Sequence, residues 1–107
     1  MDKINRQKEK IKMKTRNVIV RTDSAGVFAG ELVSRKGQEV VLKDARRIWY
    51  WAGAATLSEL AVRGTSKPDE CKFPSKVARI ELLQAIEIID MTPTAVESIN
   101  RVPIWTK

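Results

Sequence analysis

The sequence has no histidine and a single cysteine among its 107 residues, so the commonest general base, the commonest metal ligand and any thiol pair are missing. A Ser-His-Asp triad and a histidine-ligated zinc site are excluded. Neither G-x-x-x-x-G-K-[ST] nor G-x-G-x-x-G occurs, so no phosphate-cradling enzyme motif is present. Catalysis by carboxylates alone is the one alternative left open. We therefore expect a binding protein rather than an enzyme, with no metal and no cofactor.

Long apolar runs are also missing, and none approaches the roughly 20 residues that a membrane-spanning helix needs. The basic start of the chain lacks the apolar region and small-residue cleavage site of a secretory signal. The lone Cys71 cannot form an internal disulfide, which fits a reducing compartment. We expect a cytoplasmic protein without a membrane partner.

Positive charge is concentrated at the N-terminus, although the formal charge of the whole chain is +7. Residues 1–16 carry seven Lys or Arg against two Asp or Glu, whereas residues 17–107 carry thirteen against eleven. A basic arm of this kind contacts phosphate backbones through counterion release, or it is a solvated leader. We predict a flexible arm over 1–16 and a single β-rich domain over 17–107.

Aromatic residues are scarce, at 6% of the chain, but they cluster in the segment RRIWYW at positions 46–51. This segment holds two of the three tryptophans, the only tyrosine and two adjacent arginines. Aromatic rings stack on bases, and guanidinium groups form bidentate bonds with phosphate, so the segment suits a nucleotide. The alternative is that Trp49 and Trp51 fill the core, with Arg47 at its edge. Strand alternation would place Arg47, Trp49 and Trp51 on one face and Arg46, Ile48 and Tyr50 on the other.

Short β-type runs separated by turn signals predict a meander in the first half of the domain. The strands are expected at 18–20, 27–33, 39–43 and 46–51, with glycine-containing turns at 23–26 and 35–38. Gly30 inside a strand predicts a bulge or a sharp bend, as a small barrel needs where its sheet curls.

The second half of the domain combines helix and strand signals. Thr56 and Glu59 form a capping box for a helix over 54–63, and Thr92 with Pro93 starts a second helix that ends near Asn100. The stretch 65–74 reads as a surface loop that carries Cys71, 77–89 as a strand, and 102–105 as an extended end. The fold class is therefore α+β, mainly β: a small antiparallel meander or barrel with two short helices.

Three motifs carry a resemblance that extends over residues 17–105: SAGVFAG at 24–30, ARRIWYW at 45–51, and GTS with CKFP at 64–66 and 71–74. Together they resemble an uncharacterised family of small proteins from tailed phages and prophages. The strand pattern is also similar to that of SH3-like and Sm-like barrels, which often form rings and bind nucleotides or RNA. The resemblance implies a protein in the cytoplasm of a bacterial host.

From these features we expect an anti-defence protein that sequesters a small nucleotide signal. Arg46 and Arg47 would contact phosphate, the turn at Ser24 would add backbone donors, and Trp49, Tyr50, Trp51 or Phe28 would stack on the base. We expect a homo-oligomer whose subunit contacts lie near segment 46–51, because a small β domain has limited core and an open sheet edge. The alternatives are a nucleic-acid-binding module that uses residues 1–16, and an inhibitor that binds a host defence protein.

Overall fold

Five antiparallel strands form one sheet, and two short helices pack against it. The computed structural model describes residues 15–107, so the arm predicted over 1–16 lies almost entirely outside the described residues. The strands are β1 (Asn17–Thr22), β2 (Val27–Lys36), β3 (Glu39–Arg47), β4 (Val77–Leu82) and β5 (Ala85–Asp90). The helices are α1 (Leu57–Arg63) and α2 (Pro93–Arg101), and a 3-10 turn spans Pro68–Glu70. This architecture confirms the α+β, mainly β class.

The sheet is curled, because its two edge strands are consecutive in the chain. The strand order is β4-β3-β2-β1-β5, so β4 and β5 lie at opposite edges although only two residues join them. Three peptide steps separate Leu82 from Ala85, which limits their Cα distance to about 11 Å. The amide of Ala85 donates to the carbonyl of Gln38 (3.0 Å), and Asp23 donates to Gln84 (2.9 Å). These bonds fix the corner where the edges approach each other, in the barrel-like meander that the turn pattern predicts.

The apolar residues form two cores, one on each face of the curled sheet. β1 lies between them: Val18 and Val20 face the inner core and Ile19 faces the outer core, and all three are fully buried. The helices contribute to the outer core only. The inner core contains Val18, Val20, Phe28, Val40, Leu42, Ala45, Leu82 and Ala85. The outer core contains Ile19, Ala29, Ile48, Leu57, Leu60, Ala61, Cys71, Phe73, Ile99 and Val102.

The predicted bulge at Gly30 is confirmed. The pairing register of β2 with β3 shifts between Ala29 and Glu31. A Cβ atom on Gly30 would lie 3.1 Å from the Cα atom of Ala45 and from the carbonyl oxygen of Lys43, so the two strands approach closely here. A glycine permits this approach, and the bulge helps the sheet to bend.

Both helices begin at the predicted threonines. The Oγ1 atom of Thr56 accepts a hydrogen bond from the amide of Glu59 (3.1 Å), and Thr92 does the same for Ala95 (3.1 Å). The first helix therefore starts just after Thr56 rather than at residue 54, and it ends at Arg63, where Gly64 follows as the C-cap with a positive φ of 76°. Side-chain caps of this kind compensate for the amides that lack a partner within the first turn.

Three other predictions need correction. The predicted fourth strand over 46–51 is wrong, because β3 continues to Arg47 and the chain then leaves the sheet. The strand predicted over 77–89 is broken at Leu83 and Gln84, where the chain crosses from one sheet edge to the other. The predicted loop over 65–74 is not wholly a surface feature, since Cys71 and Phe73 are buried in the outer core.

Candidate ligand-binding surface

The two arginines of segment 46–51 lie on opposite faces of the sheet. Arg46 pairs with Ala29 of β2, and Arg47 pairs with Phe28. Ala29 belongs to the outer core and Phe28 to the inner core. The alternation expected of a strand therefore holds for these two residues, and it separates the two predicted phosphate ligands.

Arg46 is an internal residue, only 3% exposed. Desolvation lowers the pKa of Arg46, and the nearby Cys71 has a smaller effect in the opposite direction. The guanidinium carbon lies 5.5 Å from the centroid of the Phe73 ring. The cleft beside it has a volume of about 90 Å³, too small for a nucleotide. The guanidinium donates to five backbone carbonyl oxygens: Phe73 (3.0 Å), Pro74 (2.8 Å), Ile99 (2.8 Å), Val102 (2.7 Å) and Pro103 (3.2 Å).

These five bonds change the interpretation of Arg46. They join β3 to residues 73–74, to the last turn of α2, and to residues 102–103, which follow that helix. A buried guanidinium in a set of carbonyl groups stabilises backbone segments and presents no charge to solvent. Arg46 is therefore a structural residue in this fold, and not the phosphate contact that the sequence suggested.

Arg47 is half-buried and is held by the turn between β1 and β2. Its guanidinium carbon lies 4.4 Å from the centroid of the Phe28 ring, and Nη1 donates to the carbonyl of Ala25 (2.5 Å). The amide of Ala25 donates to Thr22 Oγ1 (2.9 Å), so this turn amide already has a partner. Ser24 is exposed in the same turn, whereas Phe28 is only 2% exposed and has no free face for a base. The structure brings Arg47, Phe28 and this turn together, but as a packed unit.

The exposure of the aromatic residues after β3 does not follow the predicted grouping of Trp49 with Trp51. Trp49 and Tyr50 are both exposed, at 63% and 52%, although they are neighbours in the chain. Trp51 instead packs against the outer core, and its Nε1 atom donates to the carbonyl of Ala54 (3.2 Å). The alternative that both tryptophans fill the core therefore holds for Trp51 but not for Trp49. An exposed tryptophan beside an exposed tyrosine is a feature that packing among residues 15–107 does not account for.

Lys72 holds this aromatic pair from the neighbouring segment. The amides of Trp49 and Tyr50 donate to the carbonyl of Lys72 (3.1 and 3.3 Å), and the amide of Lys72 donates to the carbonyl of Tyr50 (2.8 Å). The Lys72 ammonium nitrogen lies 5.8 Å from the centroid of the Tyr50 ring and 5.8 Å from that of the Trp105 ring. One cation is thus shared by two rings that are far apart in the sequence.

The end of the chain completes this region. The amide of Trp105 donates to the carbonyl of Phe73 (3.0 Å), and Ile104 forms a parallel bridge with Phe73. Phe73 is fully buried, whereas Ile104 is 62% exposed. We refer to Trp49, Tyr50, Lys72, Ile104 and Trp105 as the aromatic surface.

Sequence reasoning missed the part of Lys72 and Trp105 in this surface. The available signal was the CKFP motif, in which Lys72 lies next to an aromatic residue that the fold buries. Flat rings beside an ammonium group can stack on a planar base and attract an anionic group. Within residues 15–107 no cluster of His, Cys, Asp and Glu could hold a metal ion. In the same range, no helix has the length and apolar character needed to cross a membrane.

A groove elsewhere on the molecule includes none of the predicted site residues. It has a volume of about 720 Å³ and is lined by residues from the start of β1, the end of β5 and α2. Its charged residues are paired with one another, Arg16 with Asp90 (2.6 Å) and Arg101 with Glu97. Exposed aromatic rings therefore distinguish the aromatic surface from this groove as a candidate site.

Comparison with known proteins places the chain in a family. No curated protein and no solved structure matches it. One family model, described as "Domain of unknown function (DUF6948)", matches residues 15–99. The match includes all five strands, both exposed aromatic residues after β3, Lys72 and most of α2. The chain therefore belongs to the DUF6948 family.

Proposed function

We propose that this protein is a non-enzymatic binding protein that holds a small nucleotide-derived ligand on its aromatic surface. The observation that carries the proposal is the exposure of Trp49 and Tyr50, at 63% and 52%, with the Lys72 ammonium 5.8 Å from the Tyr50 ring. A nucleobase stacks on exposed rings, and its phosphate is attracted by a neighbouring ammonium group. The surface therefore offers a partner for each half of a nucleotide.

The backbone around the aromatic surface supports this proposal because it is already held in place. The backbone of Trp49 and Tyr50 is hydrogen-bonded to that of Lys72, and the amide of Trp105 is hydrogen-bonded to the carbonyl of Phe73. Beneath them, Arg46 joins Phe73 to the segment that leads to Trp105. A surface that is ordered before binding loses less conformational entropy when a ligand arrives, which favours affinity.

Sequestration is the role that fits a binding surface without catalytic groups. A protein that removes a signal from solution needs only affinity and abundance, and turnover is unnecessary. The resemblance to small phage and prophage proteins supports an anti-defence role, in which the ligand is a nucleotide second messenger of the host. Assembly into a homo-oligomer would enclose a ligand that one open surface covers on one side only.

Isothermal titration calorimetry tests the proposal with cyclic dinucleotides, cyclic trinucleotides and cyclic ADP-ribose isomers. We expect one class to bind with a Kd below about 10 μM, equivalent to roughly 7 kcal/mol. Trp49→Ala should weaken that binding by about 5- to 150-fold, because stacking contributes about 1–3 kcal/mol per base. Lys72→Gln should also weaken binding, whereas Lys36→Gln, which removes the same charge from the end of β2, should not. A panel without any binder, or binding that is indifferent to Trp49→Ala, would contradict the proposal.

A protein partner is the second candidate, and the exposure of Ile104 (62%) favours it, because aliphatic side chains beside Trp and Tyr are typical of protein interfaces. A host protein that is captured by the wild-type chain after nuclease treatment, but not by Trp49→Ala or Ile104→Ser, would support this candidate.

Binding to nucleic acid is distinguished from both candidates by the dependence of affinity on salt concentration. If residues 1–16 drive such binding, their deletion should flatten this dependence.

A further inference from the structure

β4 is an edge strand with an unusually exposed outer face. Among residues 15–107 it pairs with β3 only, so its other edge is open. Val77 is 48% exposed, and the side chains of Arg79 and Glu81 are 60% and 56% exposed. Leu83, which follows the strand, is 66% exposed. Open edges with exposed apolar side chains recruit further strands unless charges of one sign or prolines protect them.

The residues along this edge are complementary to their own reverse order. The sequence VARIELL at 77–83 reads apolar, small, basic, apolar, acidic, apolar, apolar, with Ile80 at its centre. If two copies run antiparallel with Ile80 opposite Ile80, Arg79 of each lies opposite Glu81 of the other. In the same register, Val77 of each faces the end of the other β4, and Leu83 lies just beyond that end, in the bend that leads to β5.

We propose that β4 pairs with β4 of a second copy of this chain, antiparallel and about a two-fold axis at Ile80. The pairing forms two symmetry-related Arg79–Glu81 ion pairs and covers Val77 of each copy. In the single chain, Arg79 and Glu81 form an ion pair along the strand (2.7 Å), so both charges already lie on one face of β4. Cross-strand pairs of opposite charge and apolar pairs stabilise an antiparallel ladder, and a two-fold interface closes without further growth.

The other edge of the sheet is β5, which within residues 15–107 pairs with β1 only, and it is less suited to self-pairing. β5 has two acidic residues, Glu87 and Asp90, and no basic residue, so no register of β5 on β5 brings opposite charges together. Pairing of β4 with β5 of the next copy would place Arg79 near Glu87 and generate an open or cyclic chain of subunits. The proposed interface also starts beside the predicted ligand segment, because Val77 pairs with Ala45.

Charge reversal and charge exchange test the pairing, with the oligomeric state of the full chain measured by sedimentation velocity at micromolar concentration. We expect the wild type to be a dimer. Arg79→Glu places four carboxylates along the shared edge and should weaken the dimer by about tenfold or more, as should Glu81→Arg with four guanidinium groups. The double variant Arg79→Glu/Glu81→Arg restores both opposite pairs, so it should dimerise again.

Arg63→Glu on α1 is the matched control, because it makes the same charge change at a side chain that is 79% exposed. It should leave the dimer intact, and circular dichroism should show native folding for every variant. A monomeric wild type, or a dimer indifferent to Arg79→Glu, would overturn the proposal. A double variant that stays monomeric would also overturn the proposal. Loss of the dimer is the result expected if β4 paired with β5, because the exchanged charges would then place an acidic side chain near Glu87.

Discussion

Arg46 is the residue at which a structural and a ligand-binding role can be separated most sharply. Replacement by alanine removes five hydrogen bonds and leaves the buried carbonyl group of Val102 without its donor, whereas the carbonyl of Phe73 keeps the amide of Trp105. A hydrogen bond to a charged group contributes about 1.5–3 kcal/mol, and a buried polar group without a partner costs about 1–3 kcal/mol. Because the bonds share one guanidinium, these contributions do not add, and we expect Arg46→Ala to lower the free energy of unfolding by about 3–5 kcal/mol.

The desolvation that lowers the pKa of Arg46 offsets part of the stability that its hydrogen bonds provide, because burial penalises the charged form. Arg46→Lys keeps a cation, but an ammonium group has three donors and no planar fork. It should therefore lose about half as much stability as Arg46→Ala. A comparison of the two variants separates the effect of charge from that of geometry.

Urea unfolding followed by tryptophan fluorescence and circular dichroism gives the free energies. A loss of about 3–5 kcal/mol corresponds to a Tm lower by roughly 12–25 °C in a domain of this size. Arg63→Ala, at a largely exposed side chain, should change stability by no more than about 0.5 kcal/mol. If Arg46→Ala costs less than about 1 kcal/mol, or if it abolishes ligand binding while stability is unchanged, the structural role assigned to Arg46 is refuted.

Three other substitutions should affect stability in different ways. Gly53→Ala should be strongly destabilising, about 2 kcal/mol or more by chemical denaturation, because Gly53 has φ +81° and a Cβ atom would lie 2.5 Å from the amide nitrogen of Lys67. Thr92→Ala removes the cap of α2 and should cost about 0.5–2 kcal/mol, measured in the same way. Arg47→Ala removes the contact with the Phe28 ring and should cost about 1–3 kcal/mol of stability, without the loss of ligand affinity expected for Trp49→Ala.

The sequence was sufficient where a few neighbouring residues decide the structure. Thr56 and Thr92 cap their helices through amides three residues away, and Gly30 permits the bulge at its own position. The β-branched run that includes Ile19 is buried on both sides, as a central strand requires. These features depend on local hydrogen bonds, on backbone sterics and on side-chain alternation, all of which are encoded over short stretches.

Only the tertiary structure decided which residues of segment 46–51 face solvent. Arg46 and Arg47 are chemically equivalent in the sequence, and they differ because β3 presents one to the outer core and one to the inner core. Trp49 is exposed where the chain leaves the sheet after Arg47, and Lys72 reaches Tyr50 because the two residues form a backbone bridge. Contacts between distant parts of a chain depend on how the two faces of a curled sheet are covered, and no local pattern specifies that covering.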